Sequence, residues 1–152
     1  MMKADFSIAI HESAHAAACR AMDRDVYAVT LCATGEGEGL IWFDGRCTNP
    51  TDTRDSLFIL AAGDAAQKIH NPATPGSESD LCKMQSEARR LLGLVATDEQ
   101  IAAEIELAKR RASRFVAANW AHVMDVARSL MECHALVSSG PHISRVEDLD
   151  NA

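Results

Sequence analysis

The run His11-Glu12-Ser13-Ala14-His15 constrains this chain more than any other feature. Residues four apart share one face of an α-helix, so the pattern acquires chemical meaning only where the segment is helical and both imidazoles reach one point. The flanks predict such a helix from about Asp5 to Met22. Asp5 is a suitable N-cap, Ile8, Ala9, Ala16 and Cys19 supply an apolar face, and Asp23-Arg24-Asp25 ends it. Ser13, Ala14, Ala16, Ala17 and Ala18 are all small, which lets other elements approach closely. At this composition about 0.015 accidental matches are expected, so the motif is uncommon by chance without being decisive. Two surface histidines on an amphipathic helix are the competing explanation.

The rest of the chain reads as further helices around a small β element. Val26 to Ala33 is β-branched and apolar enough for a strand, Gly35 to Gly39 breaks the chain, and Leu40 to Phe43 predicts a second strand. Asn49-Pro50 marks a turn. Leu57, Leu60, Ala61, Ala65 and Ile69 then place one apolar stripe on a helix from about Thr53 to His70. After a proline- and glycine-containing loop, Ser77-x-x-Asp80 opens a helix to about Leu92. Thr97-x-x-Gln100 is a capping-box pattern that opens a long helical region from about Asp98 to Leu136, with a break expected near Asn119. Ser144-x-x-Glu147 is read as the cap of a last short helix. The fold class expected is α+β, mostly α-helical, as a single domain over residues 1–152 with one small β-hairpin or sheet.

Charge and cysteine usage exclude several function classes. A formal charge of −7 argues against nucleic acid as a partner, since phosphate binding needs concentrated basic surface. The one basic cluster, Lys109-Arg110-Arg111 with Arg114, follows Glu104 and Glu106 and reads as a solvated helix face. Five cysteines, Cys19, Cys32, Cys47, Cys82 and Cys133, form no CxxC pair, so a disulfide framework and a cysteine zinc knuckle are both disfavoured. No stretch of about 18 apolar residues exists to span a membrane. The chain opens almost directly on the motif helix without a signal-peptide pattern. A cytoplasmic protein is the expectation.

Zinc suits the His11/His15 pair, because imidazole is a good ligand and the ion accepts tetrahedral geometry. Glu12, beside the first ligand, can reach a water on the ion without ligating it. Zinc lowers the pKa of that water towards about 7, and the glutamate accepts its proton during attack on a carbonyl. Such a site needs a third protein ligand. The extended pattern HExxHxxGxxH is excluded, since Ala18 and Ala21 stand at its later positions. Asp80, in the first turn of a predicted helix, is the leading candidate. Glu78 is its main competitor, and Asp64, His70 and Glu87 are weaker ones; spacing alone does not choose among them.

The order of these segments resembles the peptidase domain of the FtsH family, the membrane-anchored AAA proteases. The family's HEAGH-type helix is similar to Ile10-His11-Glu12-Ser13-Ala14-His15-Ala16, and its LxGRAAE-type segment to Leu60-Ala61-Ala62-Gly63-Asp64-Ala65-Ala66. Its S-x-D-L segment is similar to Ser77-Glu78-Ser79-Asp80-Leu81, and Ala88-Arg89-Arg90 fits the helix that follows. The resemblance spans about Ile8 to Leu149. It implies a helical zinc peptidase domain, with His11, His15 and Asp80 as Zn2+ ligands and Glu12 as general base. Peptide or unfolded protein is the implied substrate. Strand addition of an extended substrate to Leu40–Phe43 is one expectation, although an ordinary buried strand explains those residues equally well.

Three departures from the family stand out. Ser13-Ala14 replaces alanine-glycine, and Gln67-Lys68 stands where acidic residues commonly follow the alanine pair. No P-loop of the GxxxxGK[ST] type is present, and neither is the membrane anchor. A stand-alone relative is expected to cut peptides or flexible segments, or to work as a homo-oligomer or with a separate ATPase. The leading expectation is therefore a zinc metallopeptidase. The alternatives are a catalytically weak or inactive binding or regulatory module for a partner ATPase or protease, and a metal-stabilised structural domain. The last is disfavoured because structural zinc sites are usually closed by four protein ligands.

Overall fold

A computed structural model describes residues 6–31, 39–45, 48–139 and 142–145. The expected Asp5 cap, Cys32, Cys47, the glycine-rich turn up to Glu38, and Glu147 lie outside the described residues. The elements run α1 (Phe6–Ala21), β1 (Val26–Leu31), β2 (Gly39–Phe43), α2 (Pro50–His70), α3 (Glu78–Leu92), α4 (Asp98–Ala118), α5 (Trp120–Cys133), β3 (Ala135–Ser139) and β4 (His142–Arg145). The fold is thus mostly helical with a small antiparallel sheet, as the residue patterns predict.

α1 lies at the centre. Every residue from Ala9 to Cys19 is buried, because α2, α5, β1 and β2 all pack against the helix. The small side chains of Ala14, Ala16, Ala17 and Ala18 permit that approach from every side. A helix covered all round must either be apolar or find partners for its polar groups, and this one carries His11, Glu12 and His15 into the interior.

Local capping chemistry sets the helix starts. Asn49 caps α2 by accepting the Asp52 N–H at 2.9 Å, with Pro50 at the first helical position. Ser77 caps α3 by accepting the Asp80 N–H at 3.2 Å. Thr97 and Gln100 form the reciprocal capping box of α4. Asn119 divides α4 from α5, where the break was expected, and its side-chain amide donates to the Phe115 carbonyl at 2.8 Å. The core between α2 and α4 includes Phe58 edge-on to Phe115 at 5.2 Å, with the Arg111 guanidinium 4.6 Å above the Phe58 ring. The basic cluster on α4 is solvated and partly paired: Lys109 meets Glu106 of the same helix at 3.4 Å, and Arg111 reaches Asp55 of α2 at 3.5 Å. Arg24 is buried and donates to the Ser56 hydroxyl at 2.8 Å and to the Asp52 carbonyl, which joins the start of β1 to the first turns of α2.

The C-terminal region differs from expectation. The helix expected to reach Leu136 ends at Cys133, and His134 takes a left-handed conformation (φ 63°) while its N–H bonds the Leu130 carbonyl at 2.8 Å. The His134 carbonyl then accepts the Leu31 N–H at 2.8 Å, which directs the chain onto β1. Ser144, expected to cap a short helix, instead pairs with Val137 in β4. Among the described residues the sheet therefore has four strands, in the order β2-β1-β3-β4. The pairing that decides this, Ala28 with Val137 through Thr30 with Ala135, joins opposite ends of the chain and outweighs a local capping pattern.

Among the described strands β2 lies at an edge of the sheet, beside α1. Cys19, Cys82 and Cys133 are free thiols, and burial pushes the Cys19 thiol up to about 12, consistent with a small buried hydrophobe. Among the described residues no helix is long and apolar enough to cross a membrane.

Candidate metal centre

His11 and His15 project from one face of α1, and Asp80 meets them from the first turn of α3. His11 Nε2 lies 2.8 Å from Asp80 Oδ2, His15 Nε2 lies 3.1 Å from the same oxygen, and the two Nε2 atoms are 2.9 Å apart. All three residues are buried. Among the described residues this is the group of three or more His, Cys, Asp or Glu side chains whose ligand atoms converge. The competing acids fall elsewhere. Glu78 is exposed, Glu87 pairs with Arg90 at 3.5 Å, and His70 is exposed and packs edge-on against Phe6. Asp64 accepts the Ser77 N–H at 3.0 and 3.1 Å, so it supports the start of α3 and reaches no closer than 3.6 Å to His11 Nδ1.

The outward nitrogens decide the tautomers. His15 Nδ1 donates to the Ile59 carbonyl at 2.7 Å. His11 Nδ1 donates to Gln67 Oε1 at 3.0 Å, and the orientation of that amide is fixed because its Nε2 donates to the Ser7 hydroxyl and carbonyl at 3.1 and 3.3 Å. With both Nδ1 atoms engaged as donors, the two Nε2 lone pairs and a carboxylate oxygen face one another. Three acceptors at such distances repel unless a proton or a cation lies between them.

The donor set fits zinc. Two neutral imidazoles and a carboxylate are ordinary ligands of an open zinc site, and hydrogen-bonded Nδ1 atoms are the usual outer support of such ligands. A tetrahedral site with bonds near 2.0–2.1 Å separates its donors by about 3.3 Å, so the three atoms need move apart by only a few tenths of an ångström. Gly63 of α2 provides the space. A Cβ there would lie 2.6 Å from both Nε2 atoms, so only glycine lets α2 pass this close behind the imidazoles.

Without a metal, a proton occupies the junction. Burial disfavours a charged His15, but the hydrogen bond and charge of Asp80 outweigh it and push the imidazole up to about 9. Burial likewise works against an ionised Asp80, and its close contacts with His11 and His15 overcome it and hold the carboxyl well below the usual range. Glu12 is different: burial raises its pKa, with the neighbouring imidazoles acting in the opposite sense.

These side chains line a cleft of about 260 Å³ whose other walls come from Ile8, from Gly39 and Ile41 of edge strand β2, and from Ser79 and Lys83 of α3. Gly39 lies directly over Glu12: a Cβ at this position would collide with the Glu12 side chain. The arrangement can therefore hold a divalent ion between α1 and α3, with a carboxylate beside it and strand β2 along one wall.

Sequence reasoning places His11, Glu12, His15 and Asp80 together, and the structure brings all four to this cleft. Gln67 stood out only as a departure from an acidic pattern; its position one turn after Gly63 on α2 is the signal that could have identified it as the support of His11. The Ile59 carbonyl has no signal in side-chain identity. No family model and no curated protein matches the chain.

Proposed function

We propose that this protein is a zinc-dependent metallopeptidase similar to the peptidase domain of FtsH-type proteases, with His11, His15 and Asp80 holding the ion and Glu12 as general base. One observation carries the reading: three acceptor atoms converge in a buried junction while both imidazoles are locked with their lone pairs inward, beside a carboxylate in a cleft. A bound zinc ion supplies Lewis acidity, polarising a carbonyl and acidifying water. The chain's own groups do the rest. Glu12 takes a proton from the attacking water and delivers it to the leaving amine, and its raised pKa brings it closer to neutrality, where such a shuttle works best. Edge strand β2 offers backbone groups to an extended peptide across the cleft. Gly39 sets the distance between that strand and Glu12.

The test is zinc content and casein or peptide-library cleavage for the wild type, Glu12→Gln and Asp80→Ala. The reading requires near-stoichiometric zinc in the first two, reduced zinc in Asp80→Ala, and a loss of at least about 100-fold in cleavage by Glu12→Gln. Zinc binding without cleavage by the wild type would point to a binding or regulatory module for a partner ATPase or protease. No zinc under metal-replete conditions would sink the reading.

A further inference from the structure

The cleft contains a cation that the metal and the general base do not use. Lys83 lines its wall and lies three residues after Asp80 on α3, so the two side chains share a helix face. Among the described residues no acid comes within ion-pair distance of the exposed Lys83; the same holds for Lys68, Arg89, Arg110 and Arg114, but none of these lines the cleft. Glu87, one turn further along α3, is placed to neutralise it but pairs with Arg90 instead. An unpaired ammonium in the cleft of a chain with formal charge −7 stands out against the surrounding field. The electrostatic influence of Lys83 also reaches Glu12.

The charge sum of the cleft gives this ammonium a use. Among the side chains that line the cleft, Asp80 and Glu12 would balance a divalent ion and Lys83 would leave one positive charge over; Asp64, 3.6 Å from the outward His11 Nδ1, is not part of that lining. Ile8 and Ile41 add apolar wall beside it. This combination suits a group with a short aliphatic stem and a negative end and disfavours a basic one. Resting on the peptidase reading above, we infer that Lys83 is a specificity-determining residue that binds a carboxylate of the substrate, either an acidic side chain near the scissile bond or the peptide's own C-terminus.

The experiment uses zinc-loaded Glu12→Gln protein, which binds without turnover, and alanine-based hexapeptides carrying Glu, Gln or Lys at a central position, each as free acid and as C-terminal amide. Affinity is read as the ratio between two peptides on one protein, which cancels differences in metal content or folding. Glu should be favoured over Gln by about two- to five-fold, the range of one partly exposed ion pair, and the ratio should shrink as salt is raised. If the preference persists in the amides, Lys83 reads the side chain. If instead the free acids outbind their amides irrespective of the central residue, it reads the C-terminus. In either case Lys83→Ala should bring the ratio to about one and Lys83→Arg should preserve it, while Lys83→Glu should reverse it, towards the Lys peptide in the first case and towards the amide in the second. Ratios unchanged in Lys83→Ala overturn this inference, and peptides bound by the Glu12→Gln protein and cleaved by the wild type without charge preference overturn it while leaving the peptidase reading intact. No binding of any peptide overturns both.

Discussion

At the scale of single residues, the centre is governed by what separates three acceptor atoms. In the metal-free protein a proton on His15 does so, held by Asp80. The proposed zinc ion would have to displace that proton. Binding at pH 7.5 should therefore release about one proton per ion from His15, and the release should fall towards zero as pH rises through about 9, where the imidazole is already neutral. Calorimetry in buffers of different ionisation enthalpy measures this directly, and release that does not vary with pH would contradict the assigned junction. Gly63→Ala tests the geometry, since its Cβ would sit 2.6 Å from both Nε2 atoms. Zinc affinity in a chelator competition should drop at least ten-fold, and Gln67→Ala, which frees His11 Nδ1, should cost about 10- to 100-fold. The converging side chains were legible in the sequence, because helix periodicity fixes His11 and His15 relative to one another and the resemblance points to Asp80. Their supports were less so: the Ile59 carbonyl is a backbone group that becomes a partner only once α2 packs on α1.

Among the elements, α3 has the most exacting task, because it carries Asp80 across from a different part of the chain. Its start is held twice, by the Ser77 hydroxyl on the Asp80 N–H and by the Asp64 carboxylate on the Ser77 N–H. Ser77→Ala should cost about 1 kcal/mol of stability, the usual worth of such a cap. It should also weaken zinc binding, while a cap of equal worth far from the site, Thr97→Ala, should lower stability without touching affinity. Denaturant titration beside chelator competition separates the two effects; equal affinity loss in both variants would mean that α3 does not position Asp80. Caps were the most readable features of the chain, as Ser77, Thr97 and the break at Asn119 show, because each is complete within four or five residues. β3 and β4 were misread for the opposite reason. Ala135 to Ser139 is short, and what makes it a strand is hydrogen bonding to β1, which no local pattern encodes.

For the whole molecule, the proposed ion would join α1 to α3, two elements not connected directly in sequence, while most of the hydrophobic core lies in the α1, α2, α4 and α5 packing and needs no metal. Removing zinc should thus lower Tm without abolishing the fold. At a free ion concentration about 100 times Kd, binding adds about 2.7 kcal/mol, and for a chain of this size that corresponds to a shift of roughly 5–10 °C. The pH dependence of the gap is set by His15. Its folded pKa lies above its unfolded value, so the protonated His15–Asp80 pair stabilises the metal-free fold fully below pH 6.5 and is lost as pH rises through about 9. The zinc-bound fold does not need that proton, and competition from it weakens over the same range. The Tm difference between zinc-loaded and chelator-treated protein should therefore widen between pH 6.5 and 9, and Asp80→Ala should show neither the gap nor its widening. A gap that narrows over this window would mean that the ion, if bound, sits somewhere other than the junction of His11, His15 and Asp80.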